Sequence, residues 1–172
     1  MKKVFTSVAF LLCTFVFALN ANAQTDWVTI KLDNRISIKF PKEPAPIDES
    51  MMGYKFMHDD GTLLTASLTD LEKMGLDSAS LAGMIETEEF LEQFKIGFSS
   101  QTPGTEIIQS NVVKWHNYVM YDIIGEDKEK GEKSFYKCLF MGSKMFVFVC
   151  ILPAKGDINN RNMFFESMEL IR

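Results

Sequence analysis

SFYKCLFMGSKMFVFVCIL, Ser134 to Leu152, is the stretch that decides the architecture of this 172-residue chain. It reads as two strands joined at Gly142-Ser143. A two-residue turn there sets Met141 opposite Lys144, hence Cys138 opposite Val147 and Phe135 opposite Cys150. On that register Tyr136, Cys138 and Phe140 with Met145, Val147 and Val149 line one side, while Phe135, Leu139, Phe146, Phe148 and Leu152 line the other. A sheet wetted on one face shows polar residues at every second position, so these two strands must be covered twice.

The covers lie on either side of the stretch. From Ser78 to about Phe98 the apolar period changes, with Leu81, Met84, Ile85, Leu91, Phe94 and Phe98 spaced by threes, fours and sevens. This spacing predicts one amphipathic helix, with Asp77, Ser78 or Ser80 as its cap and Glu86, Glu88, Glu89 and Glu92 on the wet face. Downstream, Asp157 to Ser167 reads as a short helix running into a brief MELIR tail. TEIIQSNVV and NYVMYDIIG precede the central hairpin and predict a four-stranded meander with it. The expected fold class is α+β, a three-layer α-β-α sandwich around an antiparallel sheet.

The N-terminal third supplies two more hairpins. Trp27 to Leu32 and Arg35 to Phe40 alternate around Asp33-Asn34, and MMGYKFMH and TLLTASLTD flank Asp59-Asp60-Gly61. Between them ISIKFPKEPAP, Ile36 to Pro46, delivers Phe40 to the core and then places three prolines within six positions. Proline lacks the ladder N–H, so this segment is expected to be a stiff, non-pairing connector.

The N-terminus has Lys2 and Lys3, an apolar run from Val8 to Leu19, and Ala21-Asn22-Ala23 before Gln24, the pattern of a secretory signal peptide over residues 1–23. The run falls short of the ~20 residues that span a bilayer. Cys13 lies inside the run after bulky Leu11 and Leu12, unlike a lipidated cysteine, so a soluble periplasmic or secreted protein is expected. Residues 24–172 then form a single domain. Loss of Lys2 and Lys3 takes the formal charge from −5 to −7, which argues against nucleic acid or an anionic membrane surface as partner. Two cysteines remain in a compartment that permits disulfides. On the hairpin register Cys138 and Cys150 face opposite sides of the sheet about three residues, or ~10 Å, apart. A bridge needs Cα atoms within about 7 Å, so free buried thiols are expected.

The order hairpin, hairpin, helix, meander, helix resembles the PsbP-like superfamily, including its Mog-type and DcrB-type periplasmic branches. The residues that carry the resemblance are Trp27, "ISIKFPKEP", "KCLFMGSKMFVFVC" and "MFFESMELI", the last similar to the family's closing F-x-x-S pattern. The resemblance implies the α-β-α sandwich and a non-catalytic role as accessory or binding partner, as in photosystem II subunits, import-factor accessories and secretion chaperones. The matching positions build the fold, so it assigns no binding residue.

The chemistry-bearing residues point the same way. G-x-S-x-G, H-E-x-x-H, G-x-G-x-x-G and Walker motifs do not occur. His58 and His116 each sit in a turn, and neither has a second histidine or cysteine at metal spacing; His58-Asp59-Asp60 reads as a solvated turn. Cys138 and Cys150 lie in apolar strands that raise a thiol's pKa. Glu86, Glu88, Glu89 and Glu92 lack the burial that would split an acid pair. EDKEKGEK, Glu126 to Lys133, is a polar hairpin loop. No catalytic, cofactor-binding or metal-binding residue is assigned, and no cofactor is expected. Flexible thioethers, ten in the exported chain and including Met51, Met52 and Met57, suit core filling or a surface for an apolar ligand or peptide. The functional expectation is an exported module that binds another protein. The alternative is a carrier or sensor of a small apolar ligand.

Overall fold

The computed structural model describes residues 27–48 and 51–171, to which all structural statements refer. The signal peptide, residues 1–23, and its cleavage point lie outside the described residues. In chain order the elements are β1 (Val28–Lys31), β2 (Ile36–Phe40), β3 (Ala45–Asp48), β4 (Met51–Met57), β5 (Leu63–Asp70), a 3-10 turn (Leu71–Met74), α1 (Ser78–Met84), α2 (Glu88–Gln101), β6 (Glu106–Trp115), β7 (Tyr118–Asp127), β8 (Glu132–Met141), β9 (Lys144–Pro153), α3 (Ile158–Glu166) and β10 (Glu169–Leu170).

Seven strands make one antiparallel sheet in the order β3-β4-β5-β9-β8-β7-β6, and β1-β2-β10 make a second, smaller one. The meander β6 to β9 is present as the sequence predicts. Gly142 takes φ 67 at the β8–β9 turn, a left-handed value that glycine tolerates without a Cβ clash. Met141 therefore pairs with Lys144, Cys138 with Val147 and Phe135 with Cys150. Both thiols are free and buried, one on each face of the sheet.

Each face of the large sheet has its own core. On one, Ile36, Ile38 and Phe40 of β2 and Phe164 of α3 are fully buried against Leu64, Leu139, Phe146 and Phe148. The Phe40 and Phe164 rings meet at 5.3 Å. On the other, Leu71, Leu81, Ile85 and Leu91 from the 3-10 turn, α1 and the first turn of α2 pack over Tyr121, Ile123, Tyr136 and Cys138. The three layers are thus an α-β-α sandwich in which the first hairpin shares one outer layer with α3.

The closing motif shows how that layer is fastened. Asp157 caps α3 by accepting from the Asn159 N–H at 2.9 Å. At the other end Ser167 Oγ accepts from the Lys39 N–H at 3.0 Å and donates to the Phe164 carbonyl at 2.7 Å. The spacing in F-x-x-S places the phenyl ring and the hydroxyl together: Phe164 fills the core while Ser167 ties the helix end to β2. The tail then adds β10 to β2, and the Ile171 N–H reaches the Arg35 carbonyl at 2.8 Å.

Two expectations change. The single helix from Ser78 to Phe98 is two, because Thr87 adopts an extended backbone and its hydroxyl accepts from the Phe90 N–H to start α2 afresh. The carbonyl of Ile85, left open at the end of α1, accepts instead from the buried Tyr121 hydroxyl at 2.8 Å. The proline segment is not wholly non-pairing either. Pro46 lies within β3 opposite Tyr54, with a register shift before Asp48. An edge strand has one unpaired side, so a residue without an N–H is tolerated there.

Candidate functional site

Among the described residues an apolar concavity lies between α2 and the large sheet. Its roof is the face of α2 that carries Phe90, Phe94 and Phe98, stacked one above another by their spacing of four. These rings meet the sheet edge-on: Phe94 to Tyr121 at 5.3 Å, Phe90 to Phe140 at 6.4 Å and Phe98 to Tyr136 at 4.4 Å. Its floor is Met145, Val147 and Val149 of β9 with Ser67 and Thr69 of β5, and Leu71, Met74 and Leu76 also line it. The volume is about 480 Å³.

The opening follows from where the helix sits. The ring contacts of α2 fall on β7 and β8, whereas Met145, Val147 and Val149 of the neighbouring β9 remain half-buried. Beyond β9, strand β5 turns Ser67 and Thr69 to this side and Leu64, Ala66 and Leu68 to the other. The sheet is therefore dry below and only partly roofed above. Gly97 lines the cleft with no heavy atom within 4 Å of where its Cβ would stand, which widens the mouth.

No Asp, Glu, Lys, Arg or His lines this cleft. Burial pushes the Cys138 thiol up to about 12, and it raises Tyr136 as well despite the opposing Ser134 hydrogen bond. A thiol at that value is protonated at neutral pH and is no nucleophile. The lining offers dispersion contact, a few hydroxyls and the Gln101 amide, which suits binding rather than proton transfer.

This arrangement of layers matches a known structure. The solution structure of cyanobacterial PsbP (CyanoP) from Synechocystis sp. PCC 6803 superposes with a TM-score of 0.57 at 8% identity, over 87% of this chain and 95% of that one. The fold is PsbP-like. A crystal structure from Bacteroides thetaiotaomicron is more distant, with a TM-score of 0.46 at 12% identity over 80% of this chain and 45% of that one. The sequence matches no family model and no curated protein.

Within the PsbP-like frame the other chemistry-bearing residues are dispersed. His58 Nδ1 lies 3.5 Å from Asp60 Oδ1 in the β4–β5 turn. Burial alone would raise the Asp60 carboxyl, but N–H donors from Asp157 and Thr62, each at 2.8 Å, hold it down at about 2. Asp60 thereby ties that turn to the start of α3. Among the described residues no group of three His, Cys, Asp or Glu stands at metal distance. His116 takes φ 52 in the β6–β7 turn with its ring 4.6 Å from that of Trp115. Glu86, Glu88, Glu89 and Glu92 are exposed; Glu86 pairs with Lys114 and Glu92 with Lys95. The polar loop expected over Glu126 to Lys133 is shorter, because Glu126 pairs with Lys133 and Asp127 with Glu132 at the ends of β7 and β8; Asp127 accepts from the Glu129 and Lys130 N–H groups of the turn and pairs with Lys130.

Of the early-strand methionines, Met52 and Met57 are exposed on β4, and the cleft is lined instead by Met74 and Met145. The sequence did carry a signal for the cleft. TLLTASLTD alternates Thr65, Ser67 and Thr69 with Leu64, Ala66 and Leu68, which marks a half-wetted strand beside the doubly apolar β9. No helix among the described residues is long and apolar enough to cross a membrane.

Proposed function

We infer that this chain is an exported, non-catalytic module, a single domain over residues 24–172, that binds another protein through the cleft between α2 and β9. The supporting observation is the cleft itself: it is apolar, no charged side chain among the described residues lines it, and its lining includes Met74, which is 69% exposed. Flexible thioethers at a rim adapt to irregular apolar side chains offered by a partner. The PsbP-like fold is compatible with an accessory role, and the signal sequence would deliver the chain to the periplasm or beyond with no membrane insertion after cleavage.

The test is a photo-crosslinking amino acid placed at Gln101, on the cleft rim, and separately at Glu166, on exposed α3. In cells exporting the chain, Gln101 should give one recurrent crosslinked protein and Glu166 should not. Equal, diffuse labelling from both positions would refute the assignment.

A second reading, carriage of a small apolar ligand, is favoured by the volume, because pockets that hold such ligands run roughly 300 to 1,000 Å³. Native mass spectrometry of protein purified without denaturation separates the two readings. A carrier gives a mass adduct that disappears on unfolding, and a protein-binding cleft gives the bare chain.

A further inference from the structure

The large sheet ends in two edges that are treated differently. Both edges carry a register shift, but edge β3 is only four residues long and contains Pro46, two devices that discourage pairing with another chain. Edge β6 is ten residues long, EIIQSNVVKW, with neither proline nor glycine. Among the described residues it pairs only with β7. Its one irregularity is Ile108, which has no Cα partner on β7. Ile108 and Val112 are 48% and 37% exposed, although both are large and apolar.

We propose that β6 is a homodimer interface, pairing antiparallel with β6 of a second copy about a two-fold axis at Ser110. The strand is self-complementary in that register. Ile108 falls opposite the partner's Val112 and Val112 opposite the partner's Ile108, so the two-fold gives two apolar pairs and faces each of these exposed residues with an apolar one. Gln109 meets the partner's Asn111, an amide pair that can exchange hydrogen bonds, and Ser110 meets itself. Glu106 and Lys114, at the two ends of the strand, are already ion-paired within their own chain, to Lys128 and Glu86, so the register rests on the apolar and amide pairs between them. A two-fold of this kind is isologous and closes at two copies, which leaves no further edge of this kind exposed. Three strands, β7, β8 and β9, separate this edge from β5, so both clefts stay open in the dimer.

Residues directly opposite in an antiparallel pair have Cα atoms about 4.5 or 5.5 Å apart, within disulfide reach. Ser110→Cys should therefore crosslink into a dimer under mild oxidation. Lys114→Cys should not, because its two copies would stand eight residues apart, or roughly 27 Å. Sedimentation equilibrium of the unmodified chain should show a concentration-dependent dimer, weakened by roughly tenfold or more in Val112→Lys, which loses two apolar pairs. The melting temperature of dilute Val112→Lys should stay near that of the dilute parent chain, showing that the substitution acts on association. A chain that remains monomeric at several hundred micromolar, or Lys114→Cys crosslinking as readily as Ser110→Cys, would overturn the proposal.

Discussion

Strand β9 carries two surfaces that differ in finish. Phe146, Phe148 and Cys150 point to the side closed by β1, β2, β10 and α3, and all three are fully buried. Met145, Val147 and Val149 point to the side under α2, are equally apolar, and remain half-buried. Residue chemistry alone does not separate the two sides. What separates them is the cover: α3 and the hairpin are pinned through Ser167, Asp60 and β10, while α2 rests on β7 and β8 through aromatic edges. The sealed side builds the fold, and the partly roofed side leaves apolar surface within reach of solvent.

If that division is right, equivalent deletions on the two sides should cost different amounts. Phe40→Ala removes a fully buried ring from the sealed side and should lose about 3 to 5 kcal/mol in denaturant titration. Phe98→Ala removes a half-buried ring at the cleft and should lose about 1 to 2 kcal/mol. Equal losses would erase the distinction.

The thiols sharpen it further, since Cys138 lies on the cleft side and Cys150 on the sealed side. Burial pushes each up to about 12, so neither should react with a thiol reagent in the native protein, and both should react in guanidinium. Faster native labelling of Cys138 would mean that the cleft opens to the sheet.

The pin at Asp60 gives a pH signature. Its carboxyl is at about 2 in the folded protein against an ordinary 3.8, so between those values the unfolded chain binds more protons than the folded one. Its contribution is full above about pH 4 and is lost as pH falls through about 2. Asp60→Asn should lower stability at neutral pH and flatten this part of the acid limb in thermal melts. A parallel acid limb in the variant would remove Asp60 from the fastening of α3.

The smallest expected effect is at the cleft mouth. Gly97 sits inside α2 with open space where a Cβ would go, so Gly97→Ala should raise stability by about 0.5 to 1 kcal/mol in the same titration. A loss of stability there would mean that the mouth is narrower than described.

How much of this was legible in the sequence varies by element for physical reasons. The β8–β9 register could be read because a two-residue turn fixes it locally, and Cys138 and Cys150 follow from it. The break between α1 and α2 could not, because the apolar period runs through it. It is held by the Tyr121 hydroxyl on the Ile85 carbonyl, a contact 36 residues away in sequence that no local window contains. The prolines announced an interruption, but that Pro46 still pairs depends on β3 being an edge, which is a property of the whole sheet. The cleft left its trace in the polar alternation of Thr65, Ser67 and Thr69. That trace acquires meaning only once β5 is known to lie beside β9.

The central claim, that the cleft under α2 is the binding surface, is tested most directly by crosslink yield from Gln101 in a Gly97→Trp background, where an indole fills the mouth from a position with no close neighbours. The account predicts that the crosslinked species disappears while the circular dichroism spectrum and melting temperature are retained. Undiminished crosslinking in a folded Gly97→Trp chain would contradict it.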